Sequence, residues 1–225
     1  MQFRTNRFYD YVRAHQLPGA INPEKFSGFD CVVDFDLGRM NRKEFCWEMK
    51  KCLEIDVGDD EFLFHYCEDV MSSGPDHKMI ELKQALKQNG LKLAVVSNIN
   101  ECHFEYVQRK WPEVFSDFDY LALSFRVGSR KPHPRIWLNA IERLGVMPEE
   151  CFFIDDQMLN IVAFEQLGKQ LGKQLSGIGH HYNVVDEKYC PNGRLEIERN
   201  RLVLRMVNLG MLSWSQASEI TKVNF

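Results

Sequence analysis

The chain changes its hydrophobic rhythm once, near Ser72-Ser-Gly-Pro75. Before that point apolar residues recur at helical spacing, as in Phe45, Met49, Cys52 and Leu53, or Phe62, His65, Tyr66 and Val70. This predicts amphipathic helices. After it, helical stretches alternate with short apolar runs, the pattern of a parallel sheet with crossover helices. Asp76 is placed to cap a helix carrying Met79, Leu82 and Leu86, Asn89-Gly90 to end it, and LKLAVVSN to follow as a buried strand. The alternation continues with a helix over 101–109, a strand over 120–125, and a helix from 134 to 144 stopped by Gly145. A strand over 151–155, a helix over 159–167 and a fourth strand over 174–178 complete it.

Composition narrows the class. The 225 residues are 44% hydrophobic and 27% charged, enough to bury one core and a small accessory domain. The formal charge is −4 with Lys and Arg scattered, so the basic stripe of a nucleic-acid binder is missing. Seven dispersed cysteines without a CxxC pair read as reduced thiols of a cytoplasmic protein. The expectation is neither a signal peptide nor a membrane span. Interrupted by Arg205 and Asn208, the apolar-rich segment from Leu202 to Trp214 is too broken to cross a bilayer.

In doubly wound sheets ligands sit at the carboxyl ends of strands. Three such ends carry chemistry. Ser97-Asn98 offers a hydroxyl and backbone N–H groups at a helix start, suited to anionic oxygen; the plain alternative is a helix cap. Lys131, ahead of Pro132, offers a compact cation at a stiffened loop-to-helix junction; the alternative is a solvated loop lysine. Asp155-Asp156 places adjacent carboxylates after a buried strand, costly unless donors or a cation compensate them. Hard oxygen ligands of this kind suit magnesium, and the alternative is again a cap.

Together the phrases VVSN, SRKPHPRIW and FFIDDQMLN resemble the haloacid dehalogenase-like hydrolases, in the subgroup with a small helical cap. The resemblance implies an α/β fold, a Rossmann-like parallel sheet with flanking helices. The chain then divides into a cap over 1–75 and a core over 76–185, and beyond the reach of the resemblance an extension over 186–225 is expected to pack on the core or a partner. The resemblance also implies magnesium-dependent hydrolysis of a small phosphorylated metabolite through an aspartyl-phosphate. Ser97, Asn98 and Lys131 would hold the phosphoryl group, with Ser97 and Lys131 in the catalytic machinery. Asp155 and Asp156 would bind Mg2+, and Asn160 would order their loop.

The nucleophile is where the chain departs from the pattern, because no apolar phrase ending in Asp-x-Asp precedes the helical segment. Two readings stay open. Cys31-Val-Val-Asp-Phe-Asp-Leu-Gly38 could be a strand with Asp36, or less easily Asp34, as nucleophile. Alternatively it belongs to the cap, with a first cap helix over 3–15, and the protein is a catalytically silent relative keeping a phosphate and metal site. On the second reading the central strand, which the family places between those ending at Ser97 and Asp155, is missing; the flanking strands then close up, another segment inserts, or the natural protein is longer. A dehalogenase would not need Asp155-Asp156. His180-His181 reads as surface loop, and Leu202, Val203, Met206, Leu209 and Met211 as cover for apolar surface or a homodimer contact.

Overall fold

The computed structural model describes residues 6–17, 30–71, 74–170, 177–182 and 194–221. Four helices come first: α1 (Asn6–His15), α2 (Asp30–Asp36), α3 (Arg42–Leu53) and α4 (Asp59–Glu68). Next are α5 (His77–Gln88), β1 (Ala94–Ser97), α6 (Glu101–Lys110), β2 (Tyr120–Leu123), α7 (Ser124–Val127) and α8 (Arg135–Leu144). The order ends with β3 (Phe152–Asp155), α9 (Met158–Glu165), α10 (Leu167–Gln170), β4 (Ile178–His181), α11 (Arg194–Asn208) and α12 (Trp214–Thr221). This is a mixed α/β chain. No helix among the described residues is long and apolar enough to cross a membrane.

The chain forms two compact units. One combines Met1–Pro75 with Val96–Ser116 and Ala122–Arg130; the other combines Asp76–Val95, Asp117–Leu121 and Lys131–Phe225. The first is built on an aromatic core in which Phe8, Phe45, Phe62 and Tyr66 are buried. Its rings meet edge-on and stacked, with Phe35 against Phe45 at 4.1 Å and Phe62 against Tyr66 at 5.9 Å; such pairs add to area burial. A capping box at Asn41 and Glu44 starts α3, satisfying orphan N–H groups at both residues.

In the second unit Asp76 caps α5, as the sequence predicts, accepting from the N–H of Lys78 and Met79, and also from Arg199 at 3.0 Å. Leu202, Val203 and Met206 of α11 pack with Leu82 and Leu86 of α5 and with Ala217 and Ile220 of α12. Those α11 side chains, expected to serve either as cover or as a dimer contact, are therefore occupied within the chain, whereas Leu209 is exposed.

The strands pair β1 with β2 and β3 with β4, and among the described residues no ladder joins the two pairs. Among the described residues the strands ending at Ser97 and Asp155 therefore do not pair directly. β3 and β4 run parallel with Asp155 opposite His181. His180 and His181 lie on this strand rather than on a loop, and His180 is buried. Residues 174–176 of the expected fourth strand lie outside the described residues, and the observed strand starts at Ile178. β1 and most of β3 are half-buried rather than buried, and among the described residues each has a strand partner on one edge. β2 stops at Leu123 rather than Phe125 because the Ser124 hydroxyl turns to donate to the Ile99 carbonyl and accept from the Ile99 N–H, both at 2.9 Å.

Candidate functional site

The end of β3 gathers three of the residues singled out by sequence. Asp155 is the last residue of the strand and only 5% exposed. One carboxylate oxygen accepts from Lys131 Nζ at 2.7 Å. The other accepts from the Gln157 N–H and from Asn160 Nδ2, each at 2.8 Å. Bonds to an ionised acceptor are the strong ones. They also do local structural work, because α9 has no capping side chain at Gln157 and the Asp155 carboxylate takes one of its first N–H groups, as an Asx turn does. The strand's neighbour steadies the other side, with the Tyr182 N–H donating to the Asp155 carbonyl at 2.9 Å.

Lys131 is held with equal care. Its side chain is 13% exposed, its ammonium lies 5.8 Å from the centre of the Phe153 ring, and the Lys131-Pro132 peptide bond is cis. Asp156 is exposed, and its carbonyl accepts from His181 Nε2 at 2.9 Å. Of the expected site residues, Lys131, Asp155 and Asn160 touch one another through Asp155, while Asp156 stands beside them in sequence with its carboxylate turned to solvent. Ser97 ends β1 and Asn98 follows it, both half-buried, in the other unit.

The candidate nucleophiles have a different setting from the one a strand would provide. Cys31 to Asp36 is helical, with Cys31, Val32 and Phe35 on its buried face. Asp34 faces Arg39 at 3.3 Å on the surface. Asp36 instead ends α2 and joins a network that the sequence did not reveal. Asn100 Nδ2 lies 3.2 Å from Asp36 Oδ1, 3.0 Å from the Tyr66 hydroxyl and 3.1 Å from His103 Nδ1. The Asn100 side-chain oxygen accepts from the His103 N–H as the N-cap of α6. His103 Nε2 donates to the Tyr66 carbonyl at 2.9 Å, which leaves Nδ1 as the acceptor from Asn100. Burial raises the Asp36 carboxyl above its usual range, opposed by Asn100 and Arg130. An asparagine before a helical phrase was the one signal of this network visible in sequence.

The same network predicts a pH dependence. Burial pushes His103 down to about 4, so between the ordinary histidine value and about 4 the unfolded chain takes up a proton that the folded one refuses. Stability should therefore fall as pH drops through that window, by up to about 3 kcal/mol from this residue. Burial depresses His180 too, with the same sign, while the raised Asp36 works in the opposite sense, regaining stability as it protonates. Urea midpoints measured at neutral and mildly acidic pH should move less in His103→Gln than in the wild type.

A family model described as haloacid dehalogenase-like hydrolase matches residues 37–168. The chain belongs to that family. The match contains Ser97, Lys131, Asp155, Asp156 and Asn160 and opens just after Asp36. Among curated relatives, the phosphoglycolate phosphatase of Aquifex aeolicus is 31% identical over 120 residues, covering 52% of this chain and 54% of that protein. The glyceraldehyde 3-phosphate phosphatase of Methanopyrus kandleri is 33% identical over 85 residues, 37% of this chain and 36% of that one. The chain thus spans about half the length of the first relative and less of the second. A wild-type HAD family enzyme of Bacteroides thetaiotaomicron, solved with magnesium and inorganic phosphate, superposes with a TM-score of 0.67 at 20% identity, over 84% of this chain and 92% of that one. That likeness establishes the haloacid dehalogenase-like fold.

Proposed function

We propose that this haloacid dehalogenase-like protein is a phosphatase-type hydrolase acting on a small phosphorylated metabolite with the help of Mg2+. The observation that carries the reading is the buried Lys131–Asp155 pair, with Asp155 further held by Asn160 and the Gln157 N–H. A buried ion pair is weak evidence for stability alone, and this one ends a strand where α/β folds place ligands. The curated relatives named as phosphatases support the same class of substrate.

The donor set bears on the metal. Among the described residues no group of three or more His, Cys, Asp or Glu side chains forms a ready cage. Magnesium does not demand one: it keeps several waters and takes one or two carboxylates together with phosphate oxygens. Asp155 at the strand end supplies one such carboxylate and Asp156, exposed beside it in sequence, a second; these are the residues that would hold it. Bound there, Mg2+ would polarise a phosphoryl oxygen. Lys131 would neutralise phosphoryl charge there, while Asn160 and the Gln157 N–H keep the Asp155 carboxylate oriented.

A second reading, a catalytically silent relative that binds phosphate and metal, is favoured by one observation: Asp36 ends a helix and is engaged by Asn100. Hydrolysis of an aryl phosphate with and without Mg2+ separates the two. The phosphatase reading expects Mg2+-dependent turnover that Asp155→Asn abolishes. Turnover indifferent to Asp155→Asn contradicts it. No turnover, with metal binding that still depends on Asp155, establishes the silent reading. Loss of turnover in a folded Asp36→Asn protein would make Asp36 the attacking group after all.

A further inference from the structure

A buried polar network in the first unit fixes the two residues that follow Ser97 and Asn98. Ile99 is held by the Ser124 hydroxyl, which donates to its carbonyl and accepts from its N–H, both at 2.9 Å. Asn100, only 1% exposed, is held by its side chain. The oxygen caps α6 by accepting from the His103 N–H at 3.0 Å. The amide nitrogen lies 3.2 Å from Asp36 Oδ1 at the end of α2, 3.0 Å from the Tyr66 hydroxyl in α4 and 3.1 Å from His103 Nδ1, so its two hydrogens are divided among three acceptors. Capping needs only the oxygen, and serine or aspartate would serve α6 as well. The nitrogen is what reaches back to the N-terminal helices, and burying it with a carboxylate and a phenol costs desolvation that a plain cap avoids. Asp36, Tyr66, Ile99, Asn100, His103 and Ser124 all belong to the first unit, as do Ser97 and Asn98.

We propose, resting on the phosphatase reading, that Asn100 is a positioning residue: it ties the loop after β1 to helices α2 and α4, and so holds Ser97 and Asn98 in place for a phosphoryl group. Ser97 ends its strand, and the carboxyl ends of strands are where α/β folds bind ligands. A hydroxyl and N–H groups stabilise developing charge only as well as they are aimed. Asn100 touches no phosphoryl oxygen in this arrangement; it acts through the two residues ahead of it. Releasing its nitrogen from Asp36 and Tyr66 leaves every group of the loop present but less well placed. A misplacement of about 1 Å can slow a reaction by about 100-fold, and a loss felt in the transition state lowers kcat rather than raising KM.

The test compares the whole wild-type chain with Asn100→Ser, which keeps a capping oxygen and loses the amide nitrogen, and with Tyr66→Phe, which removes one acceptor hydroxyl. Amide hydrogen exchange of peptides covering 97–100 is read beside Mg2+-dependent hydrolysis of an aryl phosphate. Asn100→Ser is expected to speed exchange over 97–100 several-fold while α4 and α6 keep wild-type rates, and to lower kcat by about 10- to 100-fold with KM changed less than about threefold. Tyr66→Phe should move both readouts the same way by less, and it decides alone if Asn100→Ser does not fold. Unchanged exchange over 97–100, faster exchange throughout α4 and α6, or faster exchange with kcat unaltered would each overturn the proposal. A wild-type protein without Mg2+-dependent turnover overturns the phosphatase reading and this role with it; the exchange rates then tell that failure apart from a tie that was never there.

Discussion

Replacing Asp155 with alanine is expected to cost about 3–5 kcal/mol of stability, because it breaks a largely buried ion pair and removes the acceptor of two further hydrogen bonds. In a chain of this length each kcal/mol lowers the melting temperature by about 2–4 °C, so a thermal scan should register the change clearly. The loss has three structural sources: the 2.7 Å contact with Lys131, and the bonds from Gln157 and Asn160 that start α9. Asp155→Asn should cost less, since one oxygen still serves Gln157 and Asn160 while an amide faces Lys131. If Asp155→Ala melted like the wild type, the pair would not be the fixed structure described for β3.

The second large effect is expected at Gly38. Its φ is +66°, and a Cβ built there would lie 2.2 Å from the Phe125 carbonyl oxygen. An L side chain pays about 1–2 kcal/mol to occupy the left-handed region, and forcing atoms into packed space adds about 1–3 kcal/mol. Gly38→Ala should therefore lose about 2–5 kcal/mol in urea unfolding. The obstacle is backbone rather than a flexible side chain, so relaxation offers little relief. A neutral result would place the α2 turn away from Phe125.

Gly38 also shows where sequence reading stopped. The phrase Cys31 to Gly38 served two alignments, a strand ending in a nucleophile or an entry to the cap. Its two valines favour a strand. In the structure the phrase is helical, and Cys31, Val32 and Phe35 share its buried face. Gly38 follows because the turn needs a positive φ and because Phe125 passes close by.

Lys131, Asp155 and Asn160 were legible because each lies within a local phrase whose chemistry is visible without its partners. The contacts among Asp36, Tyr66, Asn100 and His103 were not, since these residues meet across separations of up to 64 residues with no shared local pattern. The strands were legible in kind but not in burial. LKLAVVSN reads as fully buried, whereas Ala94 to Ser97 is half-buried because β1 has a ladder on one edge among the described residues. Neighbours of a strand are a property of topology, and an apolar run alone does not report them. The α11 face illustrates the converse: its apolar stripe was visible, while its choice between cover and dimer contact depended on α5 and α12 lying against it.

The proposed function rests on one claim, that the Lys131–Asp155 pair is a phosphate and Mg2+ site. Calorimetric titration of inorganic phosphate into the protein, with and without Mg2+, tests it most directly. The account predicts phosphate binding that requires Mg2+, is lost in Asp155→Asn and is strongly weakened in Lys131→Gln, with circular dichroism showing both variants folded. Binding of equal strength in the wild type and folded Asp155→Asn protein, or no binding to the wild type with Mg2+ present, would contradict it.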